Sequence, residues 1–180
     1  MKMTKHIYPW EYNLVDDFLR PDELEQITNR VAEIIDKNDL TNTLITDKFH
    51  ESGKRFEAQN TKIWPSFMKD RYEEMLDLVG YQRPNQETEF TCHLSIMGNK
   101  MSYPTHEDMP SKLTSTVLYL GDIGNGTLLY GERDGPVLAE AEWKHNRAMY
   151  FQRSENTWHA YHNIRNEMRV TMIMNTRIPQ

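Results

Sequence analysis

The chain has 180 residues, near the length of one domain, and 38% hydrophobic against 27% charged residues leave enough apolar side chains for a packed core. Lys and Arg number 21 against 27 Asp and Glu, a net charge of −6, which argues against a nucleic-acid partner gripped through its backbone. One cysteine, Cys92, excludes a disulfide framework or a multi-cysteine zinc site, and no run nears the roughly 18 apolar residues of a membrane span. Met1–Lys5 also lacks a signal peptide's apolar stretch, so the expectation is a cytoplasmic domain with no membrane partner.

In chain order, Asn13–Leu19 reads as a short strand leading into an amphipathic helix over 21–35. Pro21 suits a first helical turn, and Asp22 and Glu23 favour its positive end. Leu24, Ile27, Val31, Ile34 and Ile35 recur at helical spacing. Residues 38–61 are polar and read as irregular. A second helix is predicted from Pro65 to Val79, with Met68, Tyr72, Met75, Leu76 and Val79 on one stripe and Gly80 placed to stop it.

From Glu87 the period becomes two: Phe90, Cys92, Leu94 and Ile96 alternate with Thr91, His93, Ser95 and Met97. Further strands are predicted at Leu113–Leu120, Gly126–Tyr130, Arg147–Phe151 and Met168–Asn175, between Gly, Asn, Asp and Pro turns. Short strands with no helical pattern between them point to a barrel or sandwich. The fold class is α+β, mainly β, in one domain over 1–180. Residues 1–86 form a helical support region whose two helices cover one sheet, and 87–180 form the barrel core.

Five of the seven histidines fall between His93 and His162. On a strand, His106 and Asp108 would share a face and could hold one metal ion together, with Glu107 pointing away. Asn156-Thr-Trp-His159-Ala-Tyr-His162 offers an imidazole later in the chain, from His159 or His162. Two histidines and one carboxylate form the facial set suited to non-haem Fe(II), with open positions opposite. Singly, each piece has a plainer reading: a chance H-x-D triplet, and a Trp158–His159 packing pair.

Arg169 adds a third element. Alternation puts it on one face with Thr171, Ile173 and Asn175, and Val170, Met172 and Met174 on the other. An arginine in an otherwise apolar strand needs an anionic partner, either a protein carboxylate or a ligand carboxylate held through two parallel hydrogen bonds. Beside an iron site the ligand is the stronger reading.

Together these residues resemble the 2-oxoglutarate- and Fe(II)-dependent oxygenases, in their prolyl-4-hydroxylase-like branch. Leu14-Val-Asp-Asp-Phe-Leu-Arg-Pro-Asp-Glu-Leu24 is similar to that group's opening strand and first helix. Thr116-Val-Leu-Tyr-Leu-Gly-Asp122 and Gly126-Thr-Leu-Leu-Tyr130 resemble the strands after its H-x-D motif, and Asn156-Thr-Trp-His159 its distal histidine segment. The resemblance implies a double-stranded β-helix, a jelly-roll barrel with the metal in its mouth. It implies Fe(II) on His106, Asp108 and His159, the histidine directly after a Trp. It implies 2-oxoglutarate with its far carboxylate on Arg169 and Tyr119, Tyr103 lining the pocket, O2 as co-reactant, ascorbate as reductant, and a peptide or small-molecule substrate that is hydroxylated. A carboxylate at Asp108 favours hydroxylation, since halogenating relatives lack it.

Two departures bear on specificity. The usual double glycine is Asn125-Gly126, and Ile96 stands where some prolyl hydroxylases place a pocket tyrosine. Three rival functions share parts of this pattern. A nucleic-acid demethylase of the superfamily would carry a closing R-x-N-x-T-x-R motif, and the spacing from Arg169 to Arg177 does not match it. A zinc hydrolase could use the same three ligands but has no need for Arg169 or Tyr119. A non-catalytic binding module would need none of them. Residues 38–61 and the loop from Gly98 to Ser102 are expected to form a lid over substrate, and His93 to face the barrel interior or solvent.

Overall fold

The computed structural model describes residues 1–41, 64–98, 101–163 and 167–179, together with the backbone of 55–58. Helix α1 runs over Pro21–Lys37 and α2 over Phe67–Leu78, each within two residues of the periodic stretch that predicts it. The Arg20 N–H donates to the Glu23 carboxylate at 2.9 Å, which closes the first turn of α1 behind Pro21. Glu23 also accepts from Arg71 Nε at 3.1 Å, a buried pair that ties α1 to α2. Helix α2 ends at Gly80, whose φ of +71° a side chain would strain.

The strands are β1 (Lys2–His6), β2 (Tyr12–Asp16), β3 (Arg55–Ala58), β4 (Glu89–Met97), β5 (Ser102–His106), β6 (Lys112–Tyr119), β7 (Thr127–Tyr130), β8 (Val137–Ala141), β9 (Arg147–Gln152), β10 (His159–His162) and β11 (Arg169–Arg177). They form two antiparallel sheets, a larger one in the order β1-β2-β9-β6-β11-β4-β3 and a smaller one in the order β5-β10-β7-β8. Strands from both sides of residue 86 join the larger sheet, so the N-terminal region contributes β1, β2 and β3 as well as helices.

Both helices lie on the outer face of the larger sheet, as expected. Ile27 and Val31 of α1 and Tyr72 and Met75 of α2 pack over Leu94 and Ile96 of β4, Leu118 of β6, and Val170, Met172 and Met174 of β11. Full burial of each such side chain contributes about 1.5–3 kcal/mol. The opposite face of the same strands turns toward the smaller sheet.

The strand predictions missed five elements. β1 and β8 are edge strands whose exposed residues show no clean apolar alternation, and β5 and β10 are short. β3 corrects the reading of 38–61 as wholly irregular, because Arg55–Ala58 pairs with β4. The rest of a lid over 42–63, and residues 99–100 of the Gly98–Ser102 loop, lie outside the described residues. No helix among the described residues is long and apolar enough to cross a membrane.

Candidate functional site

His106 ends β5, His159 opens β10, and the two are direct partners in the ladder between those strands. Their rings therefore meet, with centroids 4.3 Å apart. Asp108 arrives differently from the expectation. It lies two residues past the end of β5, so no shared strand face brings it to His106. The turn after β5 carries it across to the larger sheet, where its Oδ2 accepts from Ser115 Oγ and its Oδ1 from Lys112 Nζ. One ligand-capable atom from each of His106, Asp108 and His159 falls within 4.8 Å of the others. His162, at the far end of β10 opposite Ser102, is outside this group.

The protonation states follow from the surroundings. His159 Nδ1 lies 2.8 Å from the Thr157 carbonyl and His106 Nδ1 2.9 Å from that of Pro104. A carbonyl only accepts, so each Nδ1 carries a proton, and in the neutral ring Nε2 keeps its lone pair for another partner. Burial lowers the pKa of His159 to about 4, with His106 adding to the effect and Asp108 opposing it. Burial also works against the charge on Asp108, but Lys112, His159 and the two hydrogen bonds outweigh it and hold the carboxyl below its ordinary range. A neutral His159, a second imidazole from His106 and an ionised carboxylate are a donor set that suits a divalent transition metal.

The cluster opens on a cavity of 370 Å³ between the sheets, with Tyr103, Glu107 and Met109 on the side of β5 and the turn after it, and His93, Lys112 and Ile173 from the larger sheet. His93 thus faces the barrel interior. Tyr103 lines this cavity, edge-on to His106 at 4.7 Å and stacked on Tyr161 at 5.2 Å.

Arg169 is 1% exposed. Its guanidinium lies over the rings of Tyr161 at 4.5 Å, Trp143 at 5.5 Å and Tyr119 at 5.7 Å, and Nε donates to the Asn125 carbonyl at 3.1 Å. Among the described residues no carboxylate pairs with it, and its Nη2 is buried without a hydrogen-bond partner. The protein-carboxylate reading of this arginine therefore finds no partner here. An unmatched buried cation is costly, and an anionic ligand would relieve the cost.

Tyr119 neighbours Arg169, but its hydroxyl is engaged. It bonds to Thr127 Oγ1 at 2.9 Å and donates to the Ala141 carbonyl at 3.1 Å. Its one proton would have to leave Ala141 to reach a ligand carboxylate. The same Ala141 carbonyl lies against Gly126, where a Cβ would sit 2.1 Å from its oxygen.

Sequence reading missed Tyr161, Trp143, Ser115 and Lys112. Tyr161 was within reach, two residues after His159 on the same strand. The others needed the tertiary fold, because they meet the site from β6 and from the segment between β8 and β9.

No protein-family model and no curated protein sequence matches the chain. Solved structures do. The viral collagen prolyl hydroxylase of Paramecium Bursaria Chlorella virus-1, in its 2OG complex, superposes with a TM-score of 0.62 at 14% identity, over 94% of this chain and 96% of that one. A prolyl-4-hydroxylase of Pseudomonas putida gives 0.60 at 16% identity, over 94% and 93%. A Trichoplax adhaerens prolyl hydroxylase, bound to a peptide of the hypoxia inducible factor oxygen degradation domain, gives 0.65 at 12%, over 92% and 83%. The likeness is one of fold. This chain is a double-stranded β-helix of the kind those prolyl hydroxylases share.

Proposed function

We propose that this chain is a non-haem Fe(II)- and 2-oxoglutarate-dependent dioxygenase that hydroxylates a prolyl or related peptidyl or amino-acid side chain. One conjunction carries the reading: a His/Asp/His cluster shares its barrel with a fully buried arginine that has no acidic partner among the described residues. His106 and His159 would hold Fe(II) through Nε2, and Asp108 through a carboxylate oxygen. Arg169 would receive the far carboxylate of 2-oxoglutarate on its free Nη2. Tyr103 would wall the substrate side, and Tyr119 would reach the same carboxylate only by releasing Ala141.

Bound together, Fe(II) and 2-oxoglutarate supply O2 activation coupled to decarboxylation, giving succinate, CO2 and a hydroxylated product, with ascorbate as a reductant. The protein's own contribution is orientation. The His159 imidazole is already neutral and need shed no proton before it binds. Tyr161 and Trp143 cover the guanidinium and keep water from it, which strengthens its hold on a carboxylate. Residues 1–180 act as one domain, those before 87 supporting the barrel. We also place the protein in the cytoplasm, in keeping with one buried thiol, Cys92, whose pKa burial raises to about 12.

Prolyl hydroxylases of this fold, one a viral collagen prolyl hydroxylase and one bound to a peptide, support a peptidyl proline as substrate. The deciding experiment is succinate formation by the Fe(II)-loaded protein over a panel of proline peptides and free amino acids. Stimulation by proline peptides is expected, and stimulation by free amino acids alone would move the substrate to a metabolite. Tight zinc binding without 2-oxoglutarate affinity would overturn the reading in favour of a hydrolase, and affinity for neither in favour of a binding module.

A further inference from the structure

Three polar side chains occupy one rung of the larger sheet. Thr91 of β4, Asn175 of β11 and Ser115 of β6 are register partners across these adjacent strands. Hydrogen bonds join them in line, Asn175 to Thr91 Oγ1 at 3.2 Å and Ser115 Oγ to Asn175 at 3.2 Å. The line ends on Asp108, whose Oδ2 is 2.5 Å from Ser115 Oγ. Ser115 is 3% and Asn175 2% exposed, so water does not serve these groups. The next rung toward the start of β11, His93–Ile173–Val117, has an aliphatic centre. The polar row thus stands where the carboxylate arrives.

Counting protons gives the row a direction. Ser115 has one hydroxyl proton, and an ionised carboxylate only accepts, so that proton goes to Asp108. The Ser115 oxygen must then accept from Asn175. The amide satisfies this by turning its NH2 to Ser115 and its oxygen to the Thr91 hydroxyl, an exchange of nitrogen and oxygen within the same shape. Each member is then paired, which a buried polar row requires.

We propose that Ser115 and Asn175 are positioning residues for the metal-binding carboxylate, with Asn175 acting through Ser115. The row fixes Oδ2 of Asp108, while Oδ1 rests on Lys112, whose flexible stem and 22% exposure let the ammonium withdraw toward solvent. Oδ1 is thus the oxygen that exchanges its partner for a metal ion. This rests on the reading that His106, Asp108 and His159 hold a divalent metal.

The test is Co(II) binding to the full-length protein, followed by visible absorption and by titration for the dissociation constant. Wild-type protein that binds no Co(II) overturns the metal reading itself. If it binds, Ser115→Ala is expected to weaken affinity about 10–100-fold and to shift the Co(II) absorption bands, the usual scale for removing a hydrogen bond to a metal ligand. Ser115→Thr keeps the hydroxyl and restores both. Asn175→Leu is expected to give a smaller loss, and the double variant to bind no more weakly than Ser115→Ala alone. Wild-type affinity in Ser115→Ala, or losses that add in the double variant, would overturn the proposal. Should Ser115→Ala fail to fold, as judged by circular dichroism, Asn175→Leu decides alone: unchanged affinity and spectrum refute the row.

Discussion

Strand β11 carries two unlike surfaces back to back. Val170, Met172 and Met174 lie under the helices, while Arg169, Thr171, Ile173 and Asn175 turn toward the smaller sheet. Exposure does not separate them, since Met172 is 0% and Arg169 1% exposed. They differ in what burial leaves behind. The helix side is apolar and closed, so it adds stability. The barrel side holds a guanidinium without an acidic partner among the described residues and a row of hydroxyl and amide groups, so it is stable only as far as each group is matched. One face holds the sheet in shape, and the other uses that shape to present chemistry.

The largest expected effect falls on the barrel side. Asp108→Ala should abolish stoichiometric metal binding and substrate-coupled succinate formation, as read by metal analysis and turnover. Near-normal hydroxylation by that variant would remove Asp108 from the site.

On the helix side, Met172→Ala should cost about 2–5 kcal/mol of stability in denaturant unfolding. It should leave the 2-oxoglutarate dependence of the folded fraction unchanged, and a raised KM would blur the division between the faces.

Arg169→Met should do the reverse. Thermal stability should stay level or rise, because an uncompensated buried charge is replaced by a side chain of similar volume. The KM for 2-oxoglutarate should rise on the order of a hundredfold, the scale of a lost charge-assisted pair worth about 2–3 kcal/mol.

The smallest effect is a pH slope. His159 titrates at about 4 in the fold against an ordinary 6.5. Its unfolded form therefore binds a proton that the native form refuses between those values. The metal-free protein should keep this contribution above pH 6.5 and lose it as pH falls from 6.5 toward 4. His159→Gln should flatten that part of the urea midpoint-against-pH curve, and an unchanged curve would mean that the imidazole is not held neutral.

Much of the architecture was legible because burial leaves a period. Ile27, Val31 and Ile34 announced α1, and the alternation from Phe90 to Met97 announced β4. Gly80 marked the end of α2 for a local reason, its left-handed φ. The edge strands β1 and β8 were hidden because an exposed edge needs no apolar alternation. At the site, His106, Asp108, His159 and Arg169 could be nominated from residue type, order and resemblance. The route of Asp108 could not, because it depends on a turn that crosses from one sheet to the other.

By itself the sequence determined which residues could do the chemistry and which faces of the strands would be apolar, since both are written in residue type and short-range spacing. Only the tertiary structure decided that Arg169 has no acidic partner among the described residues, that the proton of Tyr119 is committed to Ala141, and that Thr91, Asn175 and Ser115 form one row ending at Asp108. Those are facts of strand register and sheet packing between residues as far apart in the chain as Thr91 and Asn175. Local spacing has no access to them, and they separate a plausible set of ligands from a site with defined protons and one unmatched charge.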